Sequence, residues 1–213
     1  MRSDGGAPAI PRTHALGGSL ATDFKYRRNA VRSLTNVIGV YALCDLDGVP
    51  IYVGQSSDGI RSRVARHLTS ARSDIIANRQ IDVWEIAWVW AYPVGTKEEL
   101  DPLEALLYHS FNPRSQLVNG TVPPLPSSLD NAPEPSQRVQ VMNDTEILAK
   151  RDPVQRLPRQ ASHYAQIVGH FLEVKESKQI ARAMAAHFQR LSKYHQKLLG
   201  IAASAESDEE QAD

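Results

Sequence analysis

The sequence predicts an α+β fold, within the broad α/β class: a small three-stranded antiparallel sheet flanked by helices, followed by a helical C-terminal segment. Three observations predict it. Ile38–Cys44 and Val49–Gly54 are β-rich runs separated by Asp45-Leu46-Asp47-Gly48, whose Asp-Gly pair is a hairpin signal that sets Tyr41 and Tyr52 on adjacent strands. Ile60, Val64, Leu68, Ala71 and Ile75 recur at three- and four-residue intervals, which predicts a helix over Ile60–Arg79 docked on that hairpin. Ile81–Val94, with Trp84, Trp88 and Trp90, is apolar on both faces, as suits a strand in the middle of a sheet.

The remaining elements follow in order. Residues 1–37 read as a flexible arm and a basic N-terminal segment, with Phe24–Leu34 as a short basic helix carrying Lys25, Arg27, Arg28 and Arg32. Residues 38–120 hold the core. After the tryptophan-rich strand a second helix starts either with Asp101 as cap and Pro102 in its first turn, or from a Thr96/Glu99 capping box. Residues 121–135 contain five prolines among small and polar residues and predict a linker. Residues 136–205 predict a helical, basic segment, with Gln137–Lys150 and Ala161–Leu199 helical and Ile180, Met184, Phe188 and Leu191 on one stripe. Residues 206–213 form an acidic tail.

Charge is distributed unevenly. The chain is formally neutral, with 24 basic and 24 acidic residues, yet the tail alone holds five acids and no base. Ser136–Leu199 carries eleven Lys/Arg against five Asp/Glu, a balance in keeping with a polyanionic partner or with a solvated helix surface. No window approaches the ~20 uninterrupted apolar residues of a membrane span, and no secretory signal opens the sequence, so a soluble, cytoplasmic protein with no membrane partner is expected. The single Cys44 excludes an internal disulfide or a zinc cluster.

The chemistry lies in an order of residues. Gly39-Val40-Tyr41 is followed by Tyr52-Val53-Gly54, then by a helix with Arg63 and His67, then by Glu104 on another helix and by Asn119. This order resembles the GIY-YIG nuclease superfamily over about residues 38–120. Arg63 and His67 are four apart and so neighbours on one helical face. Glu104 shares a face with Leu100, Leu107 and Phe111, an expensive position for a carboxylate unless a cation or a partner offsets the burial.

The resemblance implies a metal-dependent DNA endonuclease that hydrolyses phosphodiesters by attack of an activated water. It implies that Glu104 is the sole protein carboxylate on Mg2+ or Mn2+, and that Arg63 contacts the scissile phosphate. Tyr41 serves as general base, or hands its proton onward through His67, while Tyr52 positions water or phosphate. An ordinary tyrosine ionises near ~10, so a cation or Arg must lower Tyr41 for the first role. Gly54, Gln55 and Ser56 are expected at the phosphate, with Arg61 and Arg66 meeting flanking phosphates or solvent. The terminal amide falls to Asn119, with Gln116 as the alternative, because Gln116 stands at the usual spacing after Pro113. The readings are a restriction-type enzyme, a structure-specific repair or recombination nuclease, or an inactive DNA-binding module of the same fold. The C-terminal helices are candidates for homodimerisation or DNA contact.

Overall fold

The structure, a computed structural model, describes residues 16–69, 80–126, 131–173 and 177–200, with side chains described from Phe24 onward. The expected arm at 1–15, residues 70–79 of the expected helix and the acidic tail lie outside the described residues.

The hairpin forms as the sequence predicts. Strands β1 (Gly39–Cys44) and β2 (Pro50–Ser56) pair antiparallel, with Tyr41 opposite Gly54 and Leu43 opposite Tyr52. The turn is closed by the Asp45 carboxylate, which accepts from Asp47 N–H at 2.9 Å and Val49 N–H at 3.0 Å. Gly48 supplies the left-handed backbone, at φ 76°, that this turn requires. Helix α1 (Leu16–Arg32) precedes the hairpin and α2 (Ile60–Thr69) follows it. Strand β3 (Trp88–Pro93) pairs with the other edge of β1, after a single 3-10 turn at Val83–Glu85 that shortens the strand expected from Ile81.

Helix α3 (Leu100–Phe111) is entered through a 3-10 turn at Lys97–Glu99, with the Glu99 carboxylate accepting from Thr96 N–H at 3.1 Å. The Thr96/Glu99 box therefore starts the helical run. Pro102 is tolerated because it falls in the first turn of α3, where amide hydrogens have no intrahelical acceptor.

The sheet has a fourth strand, in the order β2-β1-β3-β4 with all pairs antiparallel. Strand β4 (Gln137–Gln140) replaces the first turn of the helix expected from Gln137. Four residues with a single apolar side chain, Val139, carry no periodicity of their own, and β3 offers them an edge to pair with. Asn143 then caps helix α4 (Asp144–Arg151) through Glu146 N–H at 2.8 Å. The long helical stretch is two helices, α5 (Pro153–Glu173) and α6 (Lys178–Leu199), packed on each other.

The inward stripe of α6 is rotated from the expected one. Ile180, Ala183, His187, Arg190 and Tyr194 are buried, whereas Phe188 is 56% exposed, its ring 5.8 Å from that of Tyr164 on α5. The reason is a polar junction between the helices and the sheet, which hydropathy alone does not reveal. Arg156 on α5 is 2% exposed, and it donates to Glu85 at 2.8 Å, Asp47 at 2.6 Å and the Tyr194 hydroxyl at 2.9 Å. Burial works against its charge, yet Glu85, Tyr194 and Asp47 hold the guanidinium more firmly protonated than an ordinary arginine. Arg159 reaches Glu85 at 2.6 Å and Asp82 at 3.2 Å. Arg190, expected on a basic outer surface, is buried and donates to Gln116 O at 2.6 Å and Ser115 at 3.1 Å. Arg27 of α1 is likewise buried and clamps Val83 O at 2.9 Å and Ile86 O at 3.3 Å. Part of the basic excess thus serves the fold.

No helix among the described residues is long and apolar enough to cross a membrane. Removing one partner of a buried ion cluster strands the others, so Arg156→Ala is expected to cost about 3–5 kcal/mol. Urea unfolding with tryptophan fluorescence measures this, since Trp84 and Trp88 flank the junction.

Candidate active site

Tyr41 enters the site from β1, the central strand, whose residues are all buried. Its hydroxyl lies 2.7 Å from His67 Nε2, and both side chains are fully enclosed. His67 is delivered by α2, where Ile60, Val64 and Leu68 are buried on the same side and fix the helix against the sheet. Tyr52 completes a triangle of rings, with centroids 6.3 Å from Tyr41 and 6.2 Å from His67. Arg63, one turn before His67, hydrogen-bonds to Tyr41.

Burial raises the Tyr41 phenol well above its ordinary value, and Tyr52 and Glu104 add to the rise while Arg63 opposes it. The lowering that a lone general base needs is therefore not achieved by Arg63. A neutral phenol hydrogen-bonded to an imidazole suits the other expected role, in which the proton travels onward.

Glycine at position 54 has a reason different from the expected one. A Cβ there would lie 2.6 Å from the Tyr41 hydroxyl and 2.8 Å from Tyr52 Cε1, so the missing side chain makes room for the two phenol rings rather than for phosphate. Gly54 also sits within β2 and does not end it.

Glu104 is half-buried on α3, beside Asp101 one turn earlier. Gln55 joins the two acids, donating from Nε2 to Glu104 Oε2 at 2.9 Å and to Asp101 Oδ1 at 2.7 Å. Burial raises the Glu104 carboxyl, Asp101 raises it further and the Gln55 bond opposes both. Asp101 escaped the sequence reading as a site residue because it was absorbed as a helix cap; its i, i+3 spacing to Glu104 was the available signal.

Asn119 and Gln116 are separated by geometry. The Asn119 amide spans Val53, donating to its O at 2.6 Å and accepting from its N–H at 3.1 Å. Gln116 instead offers its carbonyl to Arg190. Ser56 is buried and donates to Gly59 O at 2.9 Å, which closes the turn before α2 and turns it away from the expected phosphate role. Arg66 is exposed, and Arg61 donates to Arg32 O at 3.2 Å on the flank of α2 that faces α1.

Tyr52, Asp101, Glu104 and Asn119 line one open pocket of about 480 Å³, with Gln80, Gly120, Thr121 and Gln179 on its other wall. The acids and amides there are oxygen donors of the kind a hard divalent cation takes. Among the described residues no group of three or more His, Cys, Asp or Glu gathers as a metal cluster, so any protein ligation here is sparse. Gly54→Ala is expected to cost about 1–3 kcal/mol by overpacking and to push the Tyr41 hydroxyl off His67. Thermal unfolding and the tyrosine hydroxyl resonance read the two effects.

No curated protein and no solved structure matches the chain. Residues 37–117 match the family model of the GIY-YIG catalytic domain, which spans β1 to the segment just before Asn119. The match covers the paired-tyrosine hairpin and the two helices around it, so this part of the chain is a GIY-YIG catalytic domain by its sequence pattern.

Proposed function

We propose that the protein is a divalent-metal-dependent DNA endonuclease that hydrolyses a phosphodiester by attack of an activated water. The observation that carries this reading is the 2.7 Å contact of the Tyr41 hydroxyl with His67 Nε2, beside Arg63 and within the field of Glu104. These are the groups that hydrolysis needs: a proton acceptor for water, a cation for the phosphate and a carboxylate for a metal.

Glu104 would hold Mg2+ or Mn2+, with Asp101 near enough to add a second oxygen or a water-mediated contact. Once bound, the cation would supply charge neutralisation at the phosphate and help a water ionise. Arg63 binds a non-bridging phosphate oxygen through its planar fork, a fit that lysine lacks. As the water oxygen attacks phosphorus, its proton passes to Tyr41 Oη while Tyr41 releases its own to His67 Nε2. The departing strand oxygen is protonated from solvent. This relay avoids a free buried phenolate, which the raised Tyr41 pKa disfavours. Tyr52 orients the water or phosphate from the adjoining strand, and Asn119 holds β2 under it through Val53. A restriction-type enzyme is the finer form of the reading. One such centre per chain cuts one strand per engagement, so duplex cleavage implies a homodimer or successive binding.

Glu104→Gln, Arg63→Ala and Tyr41→Phe are each expected to lower cleavage of supercoiled plasmid in Mg2+ or Mn2+ by about 10²–10⁴-fold. Glu104→Gln should leave the protein as stable or more so. The folded state prefers the protonated acid, so the ionised form at neutral pH weakens the fold, and a neutral amide removes that cost. Full activity in Glu104→Gln and Arg63→Ala would overturn the reading. Comparing supercoiled, linear and branched DNA separates a site-specific from a structure-specific enzyme. Because Glu104 is raised, it takes up its proton earlier than an ordinary carboxylate as pH falls. Proton and cation compete for this carboxylate, so Mn2+ affinity measured by calorimetric titration should weaken as pH falls, and the loss should be absent in Glu104→Gln.

A further inference from the structure

Apart from Gln80, the wall of the pocket opposite Glu104 belongs to segments outside the matched domain. Gln80, Gly120, Thr121 and Gln179 form it, the last from the first turn of α6. Three observations show that this wall is built. A Cβ on Gly120 would lie 2.6 Å from the Gln80 side-chain nitrogen and 3.0 Å from Gln179 Cβ, so the glycine backbone is sandwiched between the two glutamines. His187 Nε2 donates to Gln80 O at 2.8 Å, which ties that residue to α6, and burial lowers the His187 pKa to about 3, leaving a neutral donor. Gln80 is only 6% exposed, and no hydrogen bond engages its amide among the described residues. The amide opens onto the pocket, where it can take a partner from what enters. Gln179 reaches Thr121 Oγ1 only at 3.4 Å, a weak contact that a ligand can displace.

The wall carries no charge, so it is unsuited to neutralising phosphate. Amides offer a paired donor and acceptor, the complement of a base edge and above all of adenine. We propose that Gln80 and Gln179, packed on either side of Gly120, hydrogen-bond to the base next to the scissile phosphate and set the sequence preference of cleavage. The proposal rests on the nuclease reading above. Through it the C-terminal helical pair is a working part of the site, and its docking on the sheet holds the reader at a fixed distance from Glu104.

The test is cleavage of a linear duplex library with randomised central positions in Mg2+, with the cut ends sequenced, for the unsubstituted protein, Gln179→Ala and Gln80→Ala. Gln179 is exposed, so its substitution leaves folding intact; melting curves accompany Gln80→Ala. The expected result is a preference of about tenfold at one position beside the cut, with adenine favoured. Gln179→Ala should flatten that position and leave the preference at the others unchanged. No base preference in the unsubstituted protein, or the same preference in Gln179→Ala, overturns the proposal while the nuclease reading stands. Absence of any cleavage by the unsubstituted protein removes the nuclease reading and this proposal with it.

Discussion

The guanidinium of Arg156 is the junction on which the rest of the molecule turns. Carried by α5, it is buried where the β1–β2 turn, the 3-10 turn before β3 and helix α6 meet, and these three send it oxygens from Asp47, Glu85 and Tyr194 respectively. A charge removed from water in this way is tolerated only with its whole set of acceptors in place. The cluster therefore specifies geometry as well as contact: the C-terminal helices can dock in the arrangement that satisfies Arg156, and a shift of one turn along α5 would leave several charges stranded. The orientation of α6, with Arg190 and His187 turned inward and Phe188 outward, follows from that requirement.

The site inherits its precision from the same scaffold. Tyr41 stands on a strand bonded on both sides, His67 on a helix held by three aliphatic anchors, and Asn119 is tied to the backbone of the strand that bears Tyr52. The two halves of the pocket have opposite chemistry. One is acidic and suits a cation; the other is neutral and suits a base. On the proposed reading, a nucleic-acid strand between them would present phosphate to a cation held by the first and its base edges to the second.

Much of this was legible in the sequence, and what was not has a common cause. Tyr41 and Tyr52 could be set side by side because the Asp-Gly turn fixes strand register, and Arg63 and His67 because four residues make one helical turn; both rules are local. Strand β4 was missed because Gln137–Gln140, with Val139 as its one apolar residue, acquires its state from β3, which lies far away in sequence. Arg27, Arg156 and Arg190 looked like surface charge, since composition cannot tell a solvated guanidinium from one that clamps carbonyls or carboxylates. The true reason for Gly54 also needed three dimensions: it depends on the rings of Tyr41 and Tyr52. Gln80, Gly120 and Gln179 are separated by long stretches of chain and share no pattern, so nothing short of the fold could unite them.

The amide of Asn119 has one further consequence. Strand β2 forms the outer border of the sheet, where bare peptide groups invite strands from other molecules to add on. Here the border is occupied from within: Val118 N–H meets Ile51 O at 2.8 Å, and the Asn119 side chain imitates a peptide against Val53. The side chain to which the nuclease reading gives the terminal amide role thus also shields the sheet from edge-to-edge self-association.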